Sequence, residues 1–178
     1  MKTVLITGCS SGFGLEIARS FLARDWQVVA TMRTPRTDVL PQFRERKAGV
    51  VVNVTSSVTL KALPLLAAYR ASKAAVNAFT ESIALELEQF GVRARLVLPG
   101  RAPDTRFAEN AHAHMHGLDH EAYAELVKEV FARLGDASAP ITHAQDVAEA
   151  VWRAATDPSS PMRIPAGADA EAWAAEVH

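Results

Sequence analysis

The run Thr7-Gly8-Cys9-Ser10-Ser11-Gly12-Phe13-Gly14 constrains this chain most, because of what stands on either side of it. Before it lies Thr3 to Thr7, short, apolar and β-branched, as a buried parallel strand reads. After it, Phe13, Ile17, Phe21 and Leu22 recur at helical spacing from Gly12 to about Arg24, and Gln27 to Met32 reads as a second strand. A strand that turns on glycines into a helix and returns as a strand is an α/β unit. Glycines in such a turn let the backbone approach a pyrophosphate, and the free N–H groups of the helix start face its charge. Gly8, Ser10, Ser11, Gly12, Phe13 and Gly14 are the phosphate-binding candidates. Cys9 has no His nearby and reads as a small filler, not a nucleophile.

A second pattern lies downstream. Val50 to Thr55 reads as a strand, and Ser56 follows its end. Thirteen residues further on, the YRASK run from Tyr69 to Lys73 falls in a long helical stretch, Ala67 to Phe90, closed by Gly91. Val76, Phe79, Ile83, Leu87 and Phe90 form its apolar stripe. Residues four apart share a helix face, so Tyr69 and Lys73 can point into one cleft. A free tyrosine titrates at about 10, and a neighbouring ammonium is expected to lower that value. Such a phenol suits proton donation and abstraction.

The chain has 178 residues, enough for one domain with a sizeable core. A formal net charge of -1 argues against nucleic acid or an anionic membrane as partner. One cysteine leaves no intrachain disulfide and suits a reducing compartment. Neither a signal-peptide pattern nor an apolar run of about 18 residues is seen, so a cytoplasmic protein is expected.

Val92 to Leu98 is the next strand, stopped by Pro99 and Gly100. A helix is expected from Asp119 to Leu134, and a Thr142/Gln145 capping-box pattern opens another to about Thr156. Met162 to Ile164 reads as a short last strand and Ala168 to Val177 as a terminal helix. Between the second strand and Val50 lie only seventeen residues, Arg33 to Gly49, in which Pro35 and Pro41 leave room for a short helix at most, Gln42 to Lys47.

TGCSSGFG at 7–14, NVTS at 53–56, YRASK at 69–73 and Pro99-Gly100 after a later strand, in this order, resemble the short-chain dehydrogenase/reductase family. The resemblance implies one NAD(P)-binding domain over residues 1–178. Its fold would be α/β, a Rossmann-like three-layer α/β/α sandwich with a mostly parallel sheet. The implied reaction moves a hydride between a nicotinamide cofactor and a small-molecule carbonyl or secondary alcohol. Tyr69 matches the family's proton donor and Lys73 the residue that holds the nicotinamide ribose and lowers the tyrosine pKa. Ser56 matches the carbonyl polariser, with Ser57 the neighbouring alternative. Pro99 and Gly100 match the turn beside the nicotinamide. The family often places a Thr four residues after that Gly. Asp104 stands there, which leaves Thr105 as the candidate carboxamide contact. Met32 replaces the Asp that would bind the adenosine ribose of NAD, and Arg33 offers a cation for a 2′-phosphate. NADP is therefore expected, with NAD the alternative. Substrate identity would lie in residues 101–118, and pairing through long helices would give a homo-oligomer.

The chain departs from the family between Arg33 and Gly49. Members carry there a strand with an adenine contact, an Asn-Ala-Gly strand end and a long helix bearing a catalytic Asn, and none of these is found. The sheet is expected to be truncated in its central part. Val50 to Thr55 would move against the first strand, or a gap would stay open, or further residues belong in the interval. The rival expectation is a catalytically impaired nucleotide-binding remnant that serves as a binding or oligomerising module. His112, His114, His116 and His120 include helical i,i+4 pairs that suit zinc, yet no Cys or carboxylate set completes a site. A polar substrate lid is the expected reading.

Overall fold

The computed structural model describes residues 2–9, 11–31, 39–107, 115 and 117–177. Glycine turns and apolar runs produce strands β1 (Thr3–Thr7), β2 (Gln27–Thr31), β3 (Gly49–Val54), β4 (Val92–Pro99) and β5 (Arg163–Ala166). Helices α1 (Gly12–Leu22), α2 (Val39–Arg46), α3 (Ala67–Glu88), α4 (Ala124–Leu134), α5 (Ala144–Thr156) and α6 (Ala168–Glu176) alternate with them. Short 3₁₀ turns occupy Ser57–Thr59 and Glu121–Tyr123, so the expected helix from Asp119 begins five residues later, at Ala124.

All pairings are parallel. β1 runs beside β2 with Thr3 opposite Gln27 and Thr7 opposite Thr31. β3 runs beside β4 from Gly49 opposite Val92 to Val54 opposite Val97, and β4 beside β5 from Leu96 opposite Arg163. The two groups form separate sheets of two and three strands. Movement of the Val50 segment against β1 is thereby corrected: among the described residues β3 pairs with β4 alone, and no strand bridges it to β1. The described part of the interval forms α2, which packs on β3 and supplies no strand.

A helical layer joins what the ladders do not. Val4, Ile6 and Val28 of the first sheet share one core with Val52, Val54, Val97 and Ile164 of the second. Ile17 and Phe21 of α1 and Val147, Val151 and Ala154 of α5 complete it. Phe21, Trp26 and Trp152 mesh edge to face, with ring centroids 5.1, 5.0 and 5.6 Å apart.

Strand alternation sends Val92, Ala94, Leu96 and Leu98 to the other face of β4, where α3 packs and all four are buried. Odd-numbered residues face α5. There the Arg93 guanidinium bonds the carbonyls of Asp157 and Ala155 at 2.9 and 3.1 Å, capping that helix's C-terminus. The architecture is an α/β Rossmann-like sandwich in which, among the described residues, the second helical layer covers one of the two sheets. Leu5 and Val29, on the uncovered face of β1–β2, are 37% and 43% exposed.

Two expectations about helices change. The apolar stripe of α3 divides along its length: Leu87 is buried and Ile83 and Phe90 are half-buried, whereas Val76 and Phe79 stand exposed and the polar Asn77 and Thr80 are buried. The capping pattern at α5 shifts by one residue, because Asp146 Oδ2 accepts from the His143 N–H at 2.8 Å. Thr142 is fully buried and bonded elsewhere.

Candidate active site

The glycine turn joins β1 to α1. Gly8 and Gly12 take φ of 73° and 56°, which glycine adopts without a Cβ penalty. Gly14 is held close to the turn, and a Cβ there would collide with the Gly8 carbonyl. Ser11 caps α1 without a side-chain hydrogen bond, and the first turn holds no acidic residue. The N–H groups at this helix start are thus left for an anion. Phe13, in the first turn, packs against the shared core. The Cys9 thiol is buried and directed at the Ile6 carbonyl at 3.2 Å. Ser10 and Arg33 lie outside the described residues.

Ser56 follows the end of β3 in extended backbone, and its hydroxyl accepts from the Val58 N–H at 3.2 Å. Tyr69 enters from the first turn of α3, with its phenol near enough to Ser56 for that hydroxyl to favour the phenolate. Lys73, one turn further, places its Nζ 5.6 Å from the Tyr69 ring centroid. Ser56 and Lys73 thus both lie beside Tyr69. Burial pushes the Tyr69 phenol above its ordinary value, and the nearby Ser56 hydroxyl offsets this only in part. The expected lowering by Lys73 is thereby corrected. The ammonium lies over the ring, and desolvation also pulls the Lys73 pKa down.

The Pro99–Gly100 turn leads into a segment that connects both halves. Thr105 lies against the glycine turn, with its Cβ 3.8 Å from where a Cβ on Gly12 would stand. Two residues on, the Phe107 ring lies 5.9 Å from the Tyr69 ring, tilted by 56°. Successive Cα atoms are about 3.8 Å apart, so residues 105 and 107 are separated by less than about 8 Å. Glycine turn and Tyr69 ring therefore lie against the two ends of one short segment. Sequence reasoning missed Phe107; its place inside the segment expected to select substrate was the signal for it. It also missed Thr142 and Asp169, which hold Gly100 and Arg101 from distant positions.

Asn77 is buried one turn beyond Lys73, with its Nδ2 3.1 Å from Thr59 Oγ1 and its Oδ1 unpartnered. His120 accepts from the Ala122 N–H at 3.2 Å, and His112, His114 and His116 lie outside the described residues. Among the described residues no three His, Cys, Asp or Glu side chains gather as for a metal ion. Nor is any helix among them long and apolar enough to cross a membrane.

A family model described as short chain dehydrogenase matches residues 34–116. By sequence, the chain is 30% identical over 138 residues to an uncharacterized oxidoreductase of Schizosaccharomyces pombe, covering 77% of this chain and 56% of that protein. It spans about half the length of the relatives it matches in this way. In structure it resembles a short-chain dehydrogenase from Streptomyces avermitilis, with TM-score 0.77 and 21% identity over 98% of this chain and 91% of the other. It also resembles a Burkholderia cenocepacia short chain dehydrogenase in complex with NADP, with TM-score 0.68 and 18% identity over 99% and 94% of the two chains.

Proposed function

The chain belongs to the short-chain dehydrogenase/reductase family, and from that premise we propose an NADP(H)-dependent oxidoreductase acting on a small-molecule carbonyl or secondary alcohol. One observation carries the reading: Ser56 and Lys73 flank Tyr69, and residues 105–107 run from the glycine turn to the Tyr69 ring.

The residues present fit a dinucleotide. A turn that no Cβ could enter at Gly14, followed by a helix start free of carboxylate, suits a pyrophosphate. Gly8, Ser10, Ser11, Gly12, Phe13 and Gly14 would hold it. Pro99, Gly100 and Thr105 would border the nicotinamide end, and Lys73 with Tyr69 its ribose. Arg33, with no carboxylate at Met32, favours the 2′-phosphate of NADP. When bound, the nicotinamide supplies or accepts the hydride.

The protein's own part is proton and charge handling. The Tyr69 hydroxyl gives its proton to the carbonyl oxygen as an alkoxide develops there, and takes one back in the reverse direction. Ser56 donates a hydrogen bond to the same oxygen. Lys73 supplies positive charge that stabilises the phenolate left behind. Exposed Val76 and Phe79 on α3 support pairing of two copies through that helix.

The test is reduction of a carbonyl panel by the pure protein with NADPH. Turnover that Tyr69→Phe abolishes supports the enzyme. NADPH binding without turnover moves the conclusion to the impaired remnant, a reading that the split sheet favours.

A further inference from the structure

Asp169 belongs to no part of the site described so far, yet it is 7% exposed and has no cation beside it in the hydrogen-bond pattern. It stands in the first turn of α6. One carboxylate oxygen accepts from the Arg101 backbone N–H at 2.6 Å, and the other lies 2.7 Å from the Thr142 hydroxyl. That hydroxyl is also 3.0 Å from the Gly100 N–H, which donates to it, and 2.9 Å from the Ala166 carbonyl. The Thr142 N–H donates to the Arg101 carbonyl at 2.8 Å. Every backbone polar group from the Gly100 N–H to the Arg101 carbonyl, save the Gly100 carbonyl, is thus bonded to the Asp169–Thr142 pair.

The fit is close on both sides. A Cβ on Gly100 would run into the Asp169 carboxylate, and a Cβ on Gly167, at φ 99°, would run into Thr142. Three separate segments therefore lock at one point: the turn after β4, the approach to α5 and the start of α6. Buried hydrogen bonds to an ionised acceptor are stronger than neutral ones, and losing one partner strands the rest. The Arg101 side chain adds ties to the carbonyls of Leu134 and Asp136.

The clamped turn is the root of the segment that lays Thr105 on the glycine turn and Phe107 on Tyr69. The geometry points to Asp169 and Thr142 as positioning residues for cofactor binding, acting through the Pro99–Arg101 turn without touching ligand. This rests on the NADP(H) reading of the cleft. A carboxylate on α6 thereby sets where Thr105 stands relative to the phosphate seat.

The experiment compares wild type with Asp169→Asn, Thr142→Val and Thr142→Ser. It reads KM for NADPH and kcat, NADPH affinity by fluorescence titration, and amide hydrogen exchange at Gly100 and Arg101. Asp169→Asn and Thr142→Val are expected to raise KM and Kd for NADPH about tenfold, more than they lower kcat, because a misplaced contact loses binding geometry. Exchange at Arg101 should quicken while β4 stays protected. Thr142→Ser, which keeps the hydroxyl, should behave as wild type. Loss of thermal stability with unchanged NADPH affinity in the folded variants would overturn the proposal, as would Thr142→Ser failing like Thr142→Val. If Asp169→Asn does not fold, the two Thr142 variants decide alone. A wild type that binds no NADPH sinks the reading of the cleft, which is a different result from wild-type binding that the variants leave intact.

Discussion

Leu5 of β1 and Leu96 of β4 are both strand leucines, yet one is 37% exposed and the other fully buried. The difference runs through the whole molecule. In the first sheet, among the described residues, each strand has one partner and one covered face. In the second, β4 has two partners and helices on both sides. Their contributions to the cleft differ in kind. β1 and α1 offer backbone N–H groups at a glycine turn, which needs only local conformation. β3 and α3 offer Ser56, Tyr69 and Lys73, whose meeting needs two elements held at fixed distance. Side-chain constellations sit on the well-packed sheet, and the backbone cradle tolerates the half-covered one.

The largest expected effect separates these two contributions. Tyr69→Phe should cut turnover by about 10²- to 10⁴-fold and leave NADPH affinity unchanged in a fluorescence titration. Equal loss of affinity would show that the two regions do not act separately. Next comes the layer between the sheets. Phe21, fully buried, contacts both tryptophans of the core, and Phe21→Ala should cost about 3–5 kcal/mol in urea unfolding. The leucine pair tests the comparison itself. Leu96→Ala should cost about 2–5 kcal/mol, while Leu5→Ala, already half in water, should cost less than about 1 kcal/mol. Similar values for the two would mean that the uncovered face of β1 is covered in solution.

The smallest effect is a pH dependence. Burial holds Tyr69 above its ordinary value of 10.0 in the folded chain. Carbonyl reduction, which uses the phenol, should stay level through neutral pH and decline only beyond that value. Alcohol oxidation, which uses the phenolate, should climb over the same alkaline range. The stability contributed by the buried phenol is fully present below 10.0 and is lost as pH rises through the higher folded-state value. A kcat/KM profile for reduction that falls between about pH 7 and 9 contradicts the burial argument.

Features set by local chemistry were legible in the sequence. β1, the glycine turn and α1 follow from a short apolar run, glycine placement and helical spacing, and β1 has the expected bounds. The Tyr69–Lys73 pair follows from helical spacing alone. What the sequence left open was decided by partners far along the chain. The stripe on α3 shows where apolar residues align, but not whether another helix covers them, and Phe79 is left 58% exposed. Thr-x-x-Gln at 142 and His-x-x-Asp at 143 offer competing caps one residue apart. Burial of Thr142 against Asp169 settles the choice. Spacing placed the Lys73 ammonium near the phenol without revealing that burial raises the phenol's pKa.

The aromatic trio of Phe21, Trp26 and Trp152 acquires a mechanical duty from the split beneath it. Among the described residues no strand ladder crosses from β1 to β3, and rings meshed edge to face carry no directional bond that would fix a dihedral between the two halves. The reach from phosphate seat to phenol is thus calibrated by how three rings mesh, and the emission of two indoles gives a gauge of it.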